Sequence, residues 1–300
     1  MRVLEWRKYL KKQLIELLSK AQVSFVRRLF SDSTLGLGEE EHTLIKLCQV
    51  NPSRSVYADR FWEWRSFYGI SRLGAIRWFV MNGWPFSRQM HHSLMAKFDG
   101  NTSGKNLFQT YDSTSLHYSA ELMLSMHRVQ WIWRFIPDIK SVIDLSKCQV
   151  LEYGCGVSDL GLLMARLGAS VTIVDLLNRK LSFAIWRYQT RGLKVNNIGV
   201  LDTDSVPGLE AEQYDIVFAT EILEHVHDPL LLLQALTESL RMGGLLFSSM
   251  GLSFEREIGG DHLPEAVAIG QSKEYESYFH QHYKLLATRE EHPWLFIRVR

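Results

Sequence analysis

Cysteine, long apolar runs and any leader-like start are what this sequence has least of. Its three cysteines, Cys48, Cys148 and Cys155, are too few and too scattered for a disulfide framework or a thiolate metal site, and free thiols in a reducing compartment are expected. No uninterrupted apolar run reaches the roughly eighteen residues that suggest a bilayer-spanning helix. The N-terminus lacks the short apolar core and small-residue cleavage site of a secretory signal, so the cytoplasm is the expected location. Internal repeats and low-complexity tracts are missing as well.

The composition is that of a globular chain, with 46% hydrophobic and 22% charged residues, enough apolar material to bury a core. Its charge is unevenly spread. Residues 1–148 hold 21 Lys/Arg and 13 Asp/Glu, whereas residues 149–300 hold 13 and 20. This change of sign divides the chain into an N-terminal helical region, 1–148, and a second region, 149–300. Residues 2–28 read as a basic amphipathic helix, with Leu10, Leu14, Leu17, Leu18, Ala21 and Phe25 at helical spacing. Docking of that apolar stripe on the protein's own core is preferred over peripheral contact with a membrane surface. Residues 31–41 and the polar stretch 87–115 read as loops. The aromatic-dense stretch 61–86 reads as the core of a small helical region, and a further helix is expected from His117 to Phe135.

From residue 149 the pattern changes to strands alternating with helices. QVLEY (149–153), SVTIVD (170–175), NIGVL (197–201), YDIVFAT (214–220) and LLFSS (245–249) are strand-like. A helix starting near Ser158, one capped by Asn178 and one opened by Pro229 stand between them. YKLLAT (283–288) and WLFIRV (294–299) read as a closing hairpin. This order predicts an α/β fold with a parallel sheet covered on both faces. In such sheets a ligand sits beyond the carboxyl ends of the strands, where strand order reverses.

After the first strand comes Glu152-Tyr153-Gly154-Cys155-Gly156-Val157-Ser158. Glycines there allow a tight turn and close approach of backbone to ligand. A dinucleotide fingerprint would place a third glycine at Asp159, where an anionic side chain should repel a pyrophosphate. Glu152 suits a cationic amino group instead. VLEYGCGVSDLG resembles motif I of the class I S-adenosylmethionine-dependent methyltransferases, with Ser158 in place of the third motif glycine, and the likeness continues through residues 149–300. It implies a three-layer Rossmann-like sheet of seven strands, the last antiparallel, and S-adenosylmethionine as cofactor. It assigns Asp175 to the ribose hydroxyls and Asp202 with Thr203 to the adenine edge. Glu152, Tyr153, Gly154, Cys155, Gly156, Leu176, Thr220 and Glu221 complete the expected cofactor site. YDIVFATEILEHVHDP and RMGGLLFSS resemble the motifs of the fourth and fifth strands, and the Leu-Glu-His tripeptide is similar to that of ubiquinone-pathway O-methyltransferases.

For the chemistry, Glu224, His225 and His262 are the expected catalytic residues. Glu221, Glu224 and His225 stand at i, i+3 and i+4, one face of a helical turn. Together with His262 they offer ligands for a divalent cation, but a base or structural role is preferred and no metal is expected. Tyr111 and Tyr118 are candidates for a lid over the cofactor. The acceptor is expected to be an oxygen on an apolar or aromatic small molecule. The N-terminal charges are too dispersed for the basic, aromatic groove that nucleic acid needs. Other readings are a catalytically silent cofactor-binding scaffold and a methyltransferase acting on RNA or protein. Neither the oligomeric state nor the role of the basic first helix follows from the sequence. Replacement Gly154→Val should abolish cofactor binding, because a branched side chain would block the backbone's approach to the ligand. Unchanged affinity for S-adenosylhomocysteine in a calorimetric titration would remove this loop from the site.

Overall fold

The computed structural model describes residues 39–82, 104–125, 134–203, 205–249, 262–287 and 294–300. Seven strands, β1 (Gln149–Tyr153), β2 (Ser170–Leu176), β3 (Asn196–Val200), β4 (Tyr214–Ala219), β5 (Leu240–Ser248), β6 (Tyr283–Ala287) and β7 (Trp294–Arg298), form one sheet. Its order is β3-β2-β1-β4-β5-β7-β6. The first five strands are parallel, and β7 runs antiparallel to both β5 and β6. Chain order reverses between β1 and β4, and the crevice expected of such a sheet opens at their carboxyl ends.

Strand alternation sorts the apolar residues onto two faces. Val150, Ile173, Ile216 and Phe247 pack with Trp64, Phe79 and Phe183 on one side. Leu151, Val174, Val217 and Leu246 pack with Leu232, Leu236 and Phe279 on the other. Burial on both sides explains why these strands read as continuous apolar runs. The first face carries helices α1 (Glu39–Leu47), α2 (Val56–Phe67), α3 (Arg72–Asn82), α5 (Ser115–Ser125), α6 (Ile136–Val142), α7 (Asp159–Arg166) and α8 (Arg179–Gln189). The second carries α9 (Pro229–Ser239), α10 (Pro264–Gly270) and α11 (Lys273–His282), while α4 (Gly104–Ser113) adds Tyr111 to it. Asn178 caps α8 by accepting from the N–H groups of Lys180 and Leu181. Pro229 opens α9, capped by Asp228.

Several sequence expectations shift. The loop reading of 31–41 fails at its end, where α1 begins at Glu39, and that of 87–115 fails at α4. In α4 the packing of Tyr111 and Phe108 against the second core outweighs the polar composition. The fifth strand starts at Leu240 rather than 245 and passes through Gly243 at φ +75°, where its register against β4 shifts. The aromatic stretch is core, as expected: Trp64 and Phe79 are fully buried, with ring centroids 5.3 Å apart. The amphipathic segment 2–28 lies outside the described residues. Among the described residues no helix is long and apolar enough to cross a membrane.

The N-terminal helices are fastened to the sheet region by buried charge. Glu63 on α2 accepts from Arg187 Nε at 2.8 Å and from Arg191 at 2.7 Å. Asp159 accepts from Arg187 at 2.8 Å and takes both terminal nitrogens of Arg60 at 2.7 Å. Burial alone would raise the Glu63 carboxyl, but Arg187 and Arg191 outweigh it and hold it below the usual range. Glu63→Gln would leave the buried Arg191 guanidinium without its counter-charge and Arg187 with Asp159 alone. It should cost about 3–5 kcal/mol in chemical denaturation; a loss under about 1 kcal/mol, the surface-pair range, would show that water screens the cluster.

Candidate functional site

A cavity of about 670 Å³, part of it open to solvent, lies across the carboxyl ends of β1 to β4. Tyr153, Gly154 and Gly156 form its wall after β1, and Asp175, Leu176 and Lys180 its wall after β2. Asp202, Thr203 and Ser205 follow β3, and Glu221, Ile222, His225 and Val226 follow β4. Tyr111, Tyr118 and Leu122 reach over it from α4 and α5.

The loop after β1 is wound through left-handed backbone: φ is +67° at Gly154, +57° at Gly156 and +53° at Ser158. A β-carbon on Gly154 would stand 2.7 Å from Ile222 Cγ1, so the expected effect of valine has a second cause, a clash across the crevice. Ser158 pays the cost of a left-handed side-chain residue with two hydrogen bonds, donating to Glu152 Oε2 at 2.5 Å and pairing with the Tyr188 hydroxyl at 2.9 Å. Asp175 closes the loop from the next strand. Its Oδ2 accepts from Gly156 N–H at 2.7 Å and its Oδ1 from Leu176 N–H at 2.8 Å.

Most of the expected cofactor residues meet here: Tyr153, Gly154, Gly156, Asp175, Leu176, Asp202, Thr203 and Glu221 all line the cavity. Glu152, Cys155 and Thr220 are not among its lining residues. Glu152 alternates to the sheet face opposite Tyr153 and is buried beneath the loop, accepting also from Gly161 N–H at 3.1 Å. Cys155 is buried, its N–H donating to Val174 O at 3.0 Å. Asp159 points into the arginine cluster. The argument against a pyrophosphate therefore rests on other groups, the carboxylates Asp175, Asp202 and Glu221 on the cavity wall.

The sequence reading missed Lys180, the one Lys or Arg among the described lining residues. Its ammonium stands 3.2 Å from Asp175 Oδ1 and 5.5 and 5.3 Å from the ring centres of Tyr111 and Tyr118. Its position in the first turn of α8, five residues after the β2 carboxylate, was the available signal. The two tyrosines line the cavity and also pack on the second core.

After β4, Leu223–His225 is a single 3-10 turn, and Glu221 lies outside it at φ +53° with its N–H donating to Ser249 Oγ at 2.7 Å. The expected single helical face of Glu221, Glu224 and His225 is not formed. His262 comes to the turn instead, its ring edge-on to His225 with centroids 5.1 Å apart. Burial raises the Glu224 carboxyl, with His225 pulling the other way.

The cavity suits S-adenosylmethionine. Two glycines leave the floor without side chains, three carboxylates stand ready for a cationic, donor-rich ligand, and the buried Thr203 Oγ1 has no partner among the described residues. The methyltransferase-domain family profile matches residues 105–298. The chain belongs to this methyltransferase family, and its fold is that of the class I S-adenosylmethionine-dependent enzymes. It is similar to the ubiquinone biosynthesis O-methyltransferase of Xanthomonas oryzae pv. oryzae (strain PXO99A), 38% identical over 37% of this chain and 46% of that one. Its counterpart from Shewanella pealeana is 31% identical over 47% of this chain and 58% of that one. The matches thus span about half the length of these relatives. A methyltransferase structure from Aquifex aeolicus overlays with a TM-score of 0.37 at 18% identity, covering 54% of this chain and 86% of that one.

One buried group beneath the loop has a pH consequence. Burial lifts the Glu152 carboxyl from 4.5 to about 8, against the hydrogen bonds from Ser158 and Gly161. A group raised in this way contributes stability that is complete below its unfolded value and lost as pH climbs through the folded one. Denaturation between about pH 5 and 9 should show wild type losing stability that Glu152→Gln does not lose. Parallel curves would mean that the folded protein keeps Glu152 ionised.

Proposed function

We propose that this chain transfers the methyl group of S-adenosylmethionine to an oxygen of an apolar or aromatic small molecule. The observation that carries this reading is the cavity wall itself, where the glycine loop, Asp175 and the unpartnered Thr203 Oγ1 converge with His225. The cofactor supplies an activated methyl on a positively charged sulfur. The chain's task is to hold the acceptor atom in line with that carbon at about 3–3.5 Å and to keep water out. Asp175 accepts from the ribose hydroxyls, and Asp202 with Thr203 meets the adenine edge. Tyr153, Gly154, Gly156, Leu176 and Glu221 frame the rest. Tyr111 and Tyr118 close the aromatic side, which favours an acceptor with an apolar or aromatic body. Glu224, His225 and His262 relieve the acceptor hydroxyl of its proton, a task worth about 10²–10⁴ in rate. The relatives named as O-methyltransferases support oxygen as the accepting atom.

Calorimetric titration with S-adenosylhomocysteine, with NAD as control, tests the cofactor half of this reading. Binding of the first alone is expected, and Asp175→Ala should weaken it by about 1.5–3 kcal/mol through loss of charge-assisted hydrogen bonds. Equal affinity in the variant would remove Asp175 from the ribose. Transfer of labelled methyl to a panel of phenols and alcohols tests the acceptor half. Tight S-adenosylhomocysteine binding without transfer to any of them would favour a cofactor-binding scaffold or a macromolecular acceptor.

A further inference from the structure

Among the described residues that line the cavity, Lys180 is a single cation set against three carboxylates, Asp175, Asp202 and Glu221. Its side chain is only 10% exposed. An ammonium stripped of most of its water is costly to keep unless other groups answer its charge. Here Asp175 Oδ1 answers it at 3.2 Å, and the rings of Tyr111 and Tyr118 at 5.5 and 5.3 Å, within cation–π range. The two rings meet edge to face with centroids 5.9 Å apart. The root of the side chain is fixed by the cap of α8, where Asn178 Oδ1 accepts from Lys180 N–H at 2.9 Å.

Asp175 has more claimants than it can serve. An ionised carboxylate offers about four lone-pair sites. Gly156 N–H takes one on Oδ2 at 2.7 Å, and Leu176 N–H and the Lys180 ammonium share Oδ1. A ribose brings two hydroxyl donors to the one site that is left. The two backbone donors are held by the glycine loop and by β2, so the lysine is the group that yields. Once displaced, an ammonium in this cavity needs another anion. S-adenosylmethionine carries one, the carboxylate of its amino-acid end.

We infer that Lys180 exchanges partners when the cofactor binds: the ribose takes its place at Asp175, and its ammonium takes the cofactor's carboxylate. This assignment rests on the S-adenosylmethionine reading and deepens it. The flexible stem of a lysine lets the charge move while the backbone stays in place, and the two tyrosine rings give the ammonium a seat throughout. Lys180 is thereby a specificity-determining residue. A ligand with adenosine but no anion displaces the lysine and returns nothing, whereas the full cofactor restores the lost ion pair. Seating the carboxylate also fixes the arm that bears the sulfonium, and so the line along which the methyl carbon meets its acceptor.

Wild type, Lys180→Met and Lys180→Arg would be titrated calorimetrically with S-adenosylhomocysteine and with its decarboxylated analogue, S-adenosyl-3-thiopropylamine. Both ligands present the same adenosine, so whatever the substitution does at Asp175 cancels in the ratio of their affinities. Wild type is expected to prefer S-adenosylhomocysteine by on the order of 10-fold or more, the worth of a charge-assisted hydrogen bond. Lys180→Met should bring that preference to within about threefold of unity, and Lys180→Arg, which keeps the charge, should retain part of it. Circular dichroism and thermal melting establish that each variant is folded, with Lys180→Gln replacing the methionine variant if that one is not. A preference equally large in wild type and in folded Lys180→Met would overturn the exchange and leave the methyltransferase reading standing. Absence of any preference in a wild-type chain that binds both ligands would overturn it as well. A wild-type chain that binds neither ligand would remove the cofactor reading and the exchange together.

Discussion

The loop after β1 must hold three left-handed residues within five positions, Gly154, Gly156 and Ser158, and much of the surrounding structure holds it there. Asp175 grips Gly156 N–H from the neighbouring strand. Glu152 and Tyr188 hold the Ser158 hydroxyl from beneath, and Arg187 donates to Val157 O at 2.5 Å. The strand-end carboxylate therefore has two duties, because it shapes the loop and faces the cavity that the loop bounds. Preorganised backbone of this kind lets a ligand bind without first ordering the loop.

The same network reaches the N-terminal helices. Arg60 on α2 meets Asp159 at the start of α7, and Arg187 joins Asp159 to Glu63. One of these contacts follows the charge asymmetry of the chain, basic first region to acidic second. The pairing of Glu63 with Arg187 and Arg191 runs against it. The asymmetry is therefore not a direct map of this interface. What the pairing does is fasten the helical layer to the residues flanking the glycine loop, while Tyr111 and Tyr118 from α4 and α5 stand over Lys180 and the cavity.

Reading the strands from the sequence worked because burial on both faces leaves an apolar run with few rivals, and because Asn178 and Pro229 mark the helices between them. The cavity-lining residues just after strands were legible for the same reason: once a strand end is located, Gly154, Asp175 and Asp202 are placed at the rim. Glu152 was placed at the right level but on the wrong side, since one step along a strand moves a side chain to the opposite face. Asp159 was misassigned because its partners, Arg60 and Arg187, are 99 and 28 residues away. The loop reading of 104–113 failed because local polarity was weighed without the core that α4 covers.

By itself, the sequence determined the α/β alternation, the position of the glycine loop and the carboxylates at the ends of β2 and β3. These depend on periodicity and on short-range backbone demands, which a linear pattern carries. Only the tertiary structure decided that Lys180 enters the cofactor cavity, that Ser158 can stand where glycine is usual, and that His262 comes to Glu224 and His225. Each of those depends on groups brought together by sheet order and helix packing, and a contact across such a distance leaves no local trace in the chain.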